Sequence, residues 1–268
     1  MGTAQSIEKH SDSVTSLEAF QLHGKNALVT GSRKGLGAAI ALALAQAGAN
    51  VGCHGRDPNP GSACGEIRAL GRKTFYYAGD VAVAEVCSRL IEKTVVEFGA
   101  IDILVNNAGT IRRAPAAEFS AEYWNEVISV NLTAVFHLSQ LAGQQMLKQG
   151  KPGKIVNIAS LLSFQGGILV PAYAAAKGGV AQLTKAFSNE WAVKRINVNA
   201  IAPGYMATEN TAALRTDPVR NRQILERIPA GRWGDPEDLA GAAVFLCSPA
   251  SDYVHGHVLV VDGGWLAR

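Results

Sequence analysis

The sequence predicts an α/β protein with a single doubly wound sheet of about seven parallel strands and helices on both faces. Seven short apolar runs alternate along the chain with six helical patterns. Such alternation is typical of a parallel sheet covered by helices. A glycine also follows several helical patterns, where a C-terminal cap belongs. These glycines are Gly48, Gly71, Gly99 and Gly150.

Each predicted strand is followed by one predicted helix until the last strand. The strand candidates are apolar runs bounded by turn residues, as in buried parallel strands. They are 26–31, 49–55, 73–79, 101–109, 153–160, 196–204 and 257–264. The helical candidates repeat apolar residues at helical spacing. They are 36–47, 60–70, 84–98, 120–148, 172–193 and 236–248.

The domain organisation follows from the length of the chain and from the absence of any linker, repeat or low-complexity tract. A chain of 268 residues is long enough for one large α/β domain, and we predict that domain over residues 21–268. Residues 1–20 are polar and rich in serine, which predicts a disordered or frayed tail. Residues 204–235 are irregular and contain Pro218 and Pro229. We expect them to form a lid-like excursion at the strand ends.

Composition excludes several classes of partner. The formal net charge of +3 is too small for a nucleic-acid-binding protein, and no apolar run approaches the ~18 residues of a membrane span. The four cysteines lack metal-ligand spacing, so we expect no metal site. Unpaired cysteines and the absence of a secretory signal pattern indicate a reducing, cytoplasmic environment.

The stretch TGSRKGLG, residues 30–37, follows the first predicted strand and begins the first helix. That context is the one in which a glycine-rich turn binds a dinucleotide in a Rossmann-type sheet. The glycines let the backbone approach a pyrophosphate, and the helix N-terminus supplies N–H donors. The alternative is a tight strand-to-helix turn with no ligand.

The end of the second strand indicates which nicotinamide cofactor is preferred. An acidic residue there would bind the ribose 2′-hydroxyl of NAD, but Gly55 occupies the position and Arg56 follows. Arg33 and Lys34 add positive charge from the glycine-rich turn, and Asp57 opposes it. We therefore predict that NADP(H) is preferred and that NAD(H) is possible. The alternative is that Arg56 is an ordinary loop cation.

Four residues predict a catalytic centre for carbonyl reduction. Tyr173 and Lys177 lie one turn apart in YAAAK, Ser160 ends the fifth strand, and Asn131 lies in the preceding helix. A phenol is a proton donor for the oxygen that hydride transfer charges, and a nearby ammonium would lower the pKa of Tyr173. Ser160 can hold the carbonyl oxygen, and Asn131 can order a water that connects Lys177 to solvent.

The spacing of Gly31, Gly35 and Gly37, with NNAG (106–109) and YAAAK, resembles the short-chain dehydrogenase/reductase family over residues 22–268. The resemblance implies that Asp80 contacts adenine, that NNAG supports the cofactor and that Thr208 in PGYMAT binds the carboxamide. It also implies a homotetramer. The predicted cofactor-binding residues are Gly31, Ser32, Arg33, Lys34, Gly35, Leu36, Gly37, Gly55, Arg56, Asp80, Val81, Asn107, Ala108, Gly109, Tyr173, Lys177, Pro203, Gly204 and Thr208.

Other stretches, such as NNAGTIRR and RIPAGRWG, resemble family members that act on sugar acids. The implied activity is hydride transfer between a nicotinamide cofactor and a keto-deoxy sugar acid. The alternatives are a gluconate 5-dehydrogenase, a uronate-derived aldehyde reductase, or a nucleotide-sensing regulator that has lost catalysis.

The stretches that carry this second resemblance also suggest substrate-binding residues. Arg112 or Arg113 could bind the carboxylate of a sugar acid, and Gln165 and Tyr205 could bind its hydroxyls. Both arginines could instead be solvated or paired with acidic residues near 118–122. The C-terminal GGWLAR could pack against another subunit or within its own.

Overall fold

The computed structural model describes residues 15–268, and a seven-stranded parallel sheet lies at its centre. The strand order is β3-β2-β1-β4-β5-β6-β7, with every neighbouring pair parallel. The predicted fold class is confirmed. The strands are β1 (Asn26–Val29), β2 (Asn50–Gly55), β3 (Thr74–Ala78), β4 (Ile103–Asn106), β5 (Gly153–Ile158), β6 (Ile196–Pro203) and β7 (Val258–Val261).

The α-helices of residues 15–268 connect these strands. They are α1 (Gly35–Gln46), α2 (Ala63–Ala69), α3 (Ala84–Phe98), α4 (Ala121–Ile128), α5 (Ala134–Gln149), α6 (Pro171–Trp191), α7 (Ala212–Thr216), α8 (Pro218–Arg227) and α9 (Ala240–Cys247). Short 3-10 helices also occur, at Glu18–Phe20, Ala116–Glu118, Leu161–Ser163, Ala192–Lys194, Glu209–Thr211, Pro236–Leu239, Pro249–Ser251 and Trp265–Ala267.

Alternating strand residues build two apolar cores on opposite faces of the sheet. Ala27 and Val29 of β1 pack with residues of α1 and α9 in one core. Leu28, between them, packs with residues of α3 and α5 in the other. Successive strand side chains point to opposite faces, so an all-apolar strand such as β1 requires helices on both sides.

The strand order reverses between β1 and β4, which are neighbours in the sheet although two strands separate them in the chain. The glycine-rich turn after β1 and the NNAG segment after β4 therefore lie side by side. Open α/β sheets bind ligands at the carboxyl ends of the strands at such a switch point. The topology thus brings the two predicted cofactor-binding segments together.

The predicted helix over 120–148 is wrong in one respect, because a π-helical segment, Ser129–Thr133, separates α4 from α5. The N–H of Ala134 donates to the carbonyl of Ser129, five residues earlier. Neither glycine nor proline interrupts the helical pattern there, so the sequence carried no signal for it. Asn131, a predicted catalytic residue, lies inside this segment, and π segments often occur at functional sites.

Residues 204–235, which we call the lid segment, contain α7 and α8 and are less irregular than predicted. Pro218 occupies the first turn of α8, and the Asp217 side chain accepts hydrogen bonds from the N–H groups of Val219 and Arg220 at 2.9 and 3.1 Å. An N-cap followed by proline is a helix-start signal that the sequence analysis missed.

Most of the predicted N-terminal tail lies outside the described residues. Of the remainder, Glu18–Phe20 form a short 3-10 helix, and the Phe20 ring lies 6.2 Å from that of Phe245 on α9.

Candidate active site

A cleft of about 1190 Å³ opens at the switch point between β1 and β4. The glycine-rich turn, the end of β2, the NNAG segment, α6 and the lid segment all contribute to its walls. The predicted cofactor residues that line it are Gly31, Arg33, Lys34, Gly35, Leu36, Gly37, Gly55, Arg56, Asp80, Val81, Asn107, Ala108, Gly109, Tyr173, Lys177 and Thr208.

Three predicted cofactor residues lie behind the cleft wall. Ser32 is fully buried, donates to the Val29 carbonyl at 2.8 Å and accepts from the N–H of His54 at 3.0 Å. Pro203 is the buried last residue of β6. Gly204 lies against Asp262, where an added Cβ would be 2.6 Å from the Asp262 Cα. The Ser32 side chain thus joins the turn to β1 and β2. The N–H of Gly204 donates to the Val261 carbonyl of β7 at 2.9 Å.

The glycines of the turn are required by backbone conformation and by close approach. Gly31 has a φ of +62°, a left-handed conformation that favours glycine. A Cβ on Gly37 would lie 2.3 Å from both the Gly31 carbonyl oxygen and the Asn107 amide nitrogen. In the described part of the chain, no side chain caps the N-terminus of α1. Its free N–H groups and positive dipole end therefore make a site suited to a pyrophosphate.

Thr30 and His54 support the turn, and the sequence analysis missed both. The Thr30 hydroxyl accepts from the N–H groups of Asn107 and Ala108 at 3.0 and 3.1 Å. The N–H of Gly31 donates to His54 Nδ1 at 3.2 Å, so His54 Nε2 carries the proton that bonds to the Gly79 carbonyl at 3.0 Å. Burial lowers the pKa of His54, which favours this neutral form.

The charges at the end of β2 are more balanced than the sequence analysis assumed. The Arg33 guanidinium lies 3.6 Å from the Asp57 carboxylate and donates to the Asn59 carbonyl at 3.0 Å. Lys34 forms an ion pair with Glu209 of the lid segment. Among residues 15–268, Arg56 is the one of the three predicted cations with no acidic partner.

Gly55 is required by the close approach of the Tyr76 side chain. A Cβ there would lie 2.4 Å from the Tyr76 hydroxyl oxygen, which donates to the Asp57 carbonyl at 2.6 Å.

Tyr173 and Lys177 lie one turn apart on α6, with Lys177 Nζ 5.6 Å from the centre of the Tyr173 ring. Burial raises the pKa of Tyr173, and the hydrogen bond with Ser160 and the positive charge of Arg113 partly offset that effect. Burial also lowers the pKa of Lys177 to about 8. The predicted lowering of the Tyr173 pKa by Lys177 is therefore wrong, because burial disfavours the charged forms of both groups.

Ser160 follows β5 and lies beside Tyr173, as the sequence predicted. Its hydroxyl accepts from the N–H of Leu162 at 3.2 Å. Its proximity to the Tyr173 phenol acts to lower the pKa of that phenol.

Asn131 is fully buried, and its side chain is occupied by backbone groups. Its Oδ1 accepts from the N–H of Thr110 and its Nδ2 donates to the Thr110 carbonyl, both at 2.8 Å. Each end of the amide keeps one further hydrogen-bonding position, so the role of Asn131 in ordering a water stays a prediction. The side chain joins the π segment to the loop after β4.

The two neighbouring arginines point to different places. Arg112 donates twice to the Glu126 carboxylate, at 2.7 and 2.9 Å, and its guanidinium lies 5.4 Å from the centre of the Tyr123 ring. Arg113 donates to the Asn210 carbonyl of the lid segment at 3.2 Å, and its charge acts on the Tyr173 phenol. Of the two arginines, Arg113 is the one whose charge acts on the predicted proton donor.

The remaining predicted substrate residues, Gln165 and Tyr205, border an apolar cluster next to Ser160. Leu161 belongs to this cluster together with Trp265, Ile224 and Ile228. The Tyr205 ring packs 4.6 Å from that of Trp265, and Gln165 Oε1 lies 3.5 Å from a guanidinium nitrogen of Arg227. Trp265 is 5% exposed, so it is buried within its own chain.

Residues 15–268 contain no group of three or more His, Cys, Asp or Glu side chains arranged to hold a metal ion. No helix in this part of the chain is long and apolar enough to cross a membrane.

The fold and this arrangement of Ser160, Tyr173 and Lys177 are those of a nicotinamide-dependent oxidoreductase, and comparison assigns the family. A family model described as enoyl-(acyl carrier protein) reductase matches residues 31–266. The chain belongs to the short-chain dehydrogenase/reductase family.

Among its relatives are two 2-dehydro-3-deoxy-D-gluconate 5-dehydrogenases. The one from Escherichia coli is 54% identical and the one from Dickeya dadantii 53%, and both alignments cover 94% of this chain and 99% of the relative.

Solved structures agree with this placement. A structure from Agrobacterium tumefaciens, described as a candidate 2-deoxy-D-gluconate 3-dehydrogenase with bound NADP, is 55% identical with a TM-score of 0.87. The match covers 93% of this chain and 99% of that one. A gluconate 5-dehydrogenase from Burkholderia cenocepacia, in complex with NADP and tartrate, is 40% identical with a TM-score of 0.90. That match covers 94% and 99% of the two chains.

Proposed function

We propose that this chain is an NADP(H)-preferring dehydrogenase that acts on a keto-deoxy sugar acid. The observation that carries the proposal is the position of Arg113. Its charge acts on the Tyr173 phenol, yet it has no acidic partner among residues 15–268. A substrate that carries a carboxylate a few bonds from its reacting carbon would meet both groups. The two relatives above act, by name, on such an acid.

The catalytic residues supply binding and proton transfer. The Ser160 hydroxyl, which acts on the pKa of the Tyr173 phenol, holds the substrate oxygen beside that phenol. Tyr173 donates a proton to that oxygen in reduction and accepts it in oxidation. Lys177, one turn along α6, places an ammonium beside the phenol. The nicotinamide cofactor supplies or accepts the hydride when it is bound.

The cleft fits such a cofactor. The uncapped N-terminus of α1 and the close approach at Gly37 suit a pyrophosphate. Arg56, without an acidic partner in the described part of the chain, suits a 2′-phosphate. Asp80 and Thr208, both at the cleft wall, would meet the adenine and carboxamide ends. Two similar structures contain NADP, which supports the same preference.

The assembled catalytic group favours an enzyme over a nucleotide-sensing regulator that has lost catalysis. We also infer a homotetramer, as the family resemblance implies. Exposed apolar side chains on α4 and α5, such as Trp124 and Leu147, support contacts between subunits. A cytoplasmic location is supported by four free, buried cysteines.

The test is turnover by the purified protein with each nicotinamide cofactor and a panel of substrates. The panel contains keto-deoxy sugar acids, gluconate and uronate-derived aldehydes. We expect the highest kcat/KM with NADP(H) and a keto-deoxy sugar acid. A higher kcat/KM for gluconate or for an aldehyde would contradict the substrate assignment. The absence of turnover with every substrate would contradict the enzymatic assignment.

A further inference from the structure

Arg227, the last residue of α8 in the lid segment, is a cation held by uncharged groups. Its guanidinium lies 4.1 Å from the centre of the Trp265 ring, and its one side-chain hydrogen bond within residues 15–268 is at 3.5 Å to Gln165 Oε1. Within residues 15–268 no carboxylate is paired with it. A distance of 3.5 Å is at the limit of a hydrogen bond, so the guanidinium is loosely held.

Two of the other four arginines of the lid segment are paired with acids, whereas Arg215 and Arg220 donate to the Thr208 carbonyl and to Gln223 Oε1. Arg222, on the same helix, lies 3.7 Å from the Glu226 carboxylate. Arg232 lies 2.6 Å from the Asp238 carboxylate. Arg227 shares the lack of an acidic partner among residues 15–268 with Arg215 and Arg220, and it differs from them in its contacts with Trp265 and Gln165.

The surroundings of Arg227 place it at the wall next to the catalytic serine. Trp265, on which it stacks, belongs to the same apolar cluster as Leu161, the residue that follows Ser160. Gln165, its hydrogen-bond partner, is joined to Leu161 by a backbone hydrogen bond of 3.1 Å. Through Gln165 and Trp265, Arg227 is connected to the segment that follows Ser160.

The charge of Arg113 acts on the catalytic tyrosine, and its guanidinium contacts the lid segment through the Asn210 carbonyl. Two arginines without acidic partners in the described part of the chain are therefore linked to the catalytic residues, one through its charge and the other through Gln165 and Trp265. One is carried by the loop after β4 and the other by α8 of the lid segment. A carboxylate can accept hydrogen bonds at both of its oxygens, so a single carboxylate can bind two guanidinium groups.

We propose that Arg227 is a second, lid-borne ligand of the substrate carboxylate, shared with Arg113. On binding, the guanidinium exchanges the Gln165 amide for the carboxylate and draws α8 towards the catalytic centre. The Trp265 ring holds the guanidinium by a cation–π contact and limits the conformational freedom lost on binding. This inference rests on the proposed function, because it requires an acidic substrate.

The experiment compares Arg227→Gln with the matched control Arg222→Gln, which removes an equal charge from the same helix. KM and kcat are measured with the keto-deoxy sugar acid and with an analogue in which the carboxylate is reduced to an alcohol. We expect Arg227→Gln to raise KM for the acid by roughly tenfold or more, as the loss of a charge-assisted hydrogen bond predicts. KM for the alcohol and the affinity for NADPH should not change, and Arg222→Gln should resemble the wild type throughout.

A structural role for Arg227 at the end of α8 gives a different result. It would impair the acid and the alcohol equally, and such a result would overturn the proposal. So would kinetics for Arg227→Gln that match those of Arg222→Gln. If Arg227→Gln does not fold, Arg227→Lys replaces it. Lysine keeps the positive charge but lacks the planar guanidinium that can bind a carboxylate through two hydrogen bonds. This variant should therefore raise KM for the acid and not for the alcohol. Failure of the wild type to turn over any sugar acid would overturn the proposed function itself, whereas the other outcomes leave that function intact.

Discussion

The Lys177 ammonium lies 5.6 Å from the centre of the Tyr173 ring and donates a hydrogen bond to the Ile158 carbonyl at 2.5 Å. Lys177 is 4% exposed and makes no ion pair with an acid among residues 15–268. A buried ammonium held by a single carbonyl costs stability, because it loses more hydration than one hydrogen bond returns. The ammonium beside the phenol therefore lowers the free energy of unfolding.

Replacing Lys177 with Met tests this cost through its pH dependence. Burial lowers the pKa of Lys177 from 10.5 to about 8. Below pH 8 the ammonium is charged in both the folded and unfolded states, so the folded state bears the full cost. Between about pH 8 and 10.5 the folded state loses its proton first, and wild-type stability rises with pH. The stability of Lys177→Met relative to wild type should fall by up to about 3 kcal/mol across that range.

The measurement for Lys177→Met is urea denaturation of the cofactor-free proteins at a series of pH values. The lost hydrogen bond to Ile158 adds a constant to the difference, so the slope with pH is the informative quantity. A difference that stays flat between pH 7 and 10.5 would contradict the lowered pKa.

Replacing Tyr173 with Phe should remove the proton donor and leave the fold intact. General acid–base groups contribute typically about 10²–10⁴-fold, so kcat should fall at least by about that factor. NADPH affinity and the unfolding temperature should stay close to those of the wild type. Steady-state kinetics and a thermal melt measure these quantities, and near-normal turnover would refute the assignment of the proton donor.

Replacing Arg56 with Ala should reduce the preference for NADPH over NADH. A hydrogen bond to a charged group contributes about 1.5–3 kcal/mol, so the preference should shrink by roughly 10–150-fold. Lys34→Ala is the control, because Lys34 is paired with Glu209 and should affect the two cofactors alike. Fluorescence titration with each cofactor measures the affinities. Equal binding of NADPH and NADH by the wild type would contradict the argument from Gly55 and Arg56.

The fold was predictable because its signals are local. The apolar runs, the glycine-rich turn and YAAAK each lie within one strand, turn or helix, and the parallel order follows from their alternation. The π segment was not predictable, since one backbone bond from Ala134 to Ser129 creates it without glycine or proline. The engagement of Asn131 was missed for a different reason. Its partner Thr110 is remote in the chain, and only the folded loop brings the two together.

The directions of Arg112 and Arg113 could not be read from the sequence either. Adjacent residues of an extended loop point to different sides, and the partner of Arg112 depends on how α4 packs. The sequence suggested acids near 118–122, but the structure places Glu126, one turn further along α4, within reach of the guanidinium. The choice between the two arginines therefore came from tertiary packing.

The last prediction uses this difference between the neighbouring arginines. Arg113→Ala should raise KM for the sugar acid strongly, by roughly 10-fold or more if a charge-assisted hydrogen bond is lost. Arg112→Ala should have a smaller effect on KM, because its guanidinium is bonded to Glu126. NADPH affinity should barely change in either variant, since neither side chain lines the cofactor cleft.

With the alcohol analogue the increase in KM caused by Arg113→Ala should largely vanish. The protein substitution and the loss of the substrate carboxylate are then the two changes of a double-mutant cycle. A coupling near zero for Arg113 together with a large one for Arg112 would mean that substrate binding breaks the ion pair between Arg112 and Glu126, and would reverse the assignment.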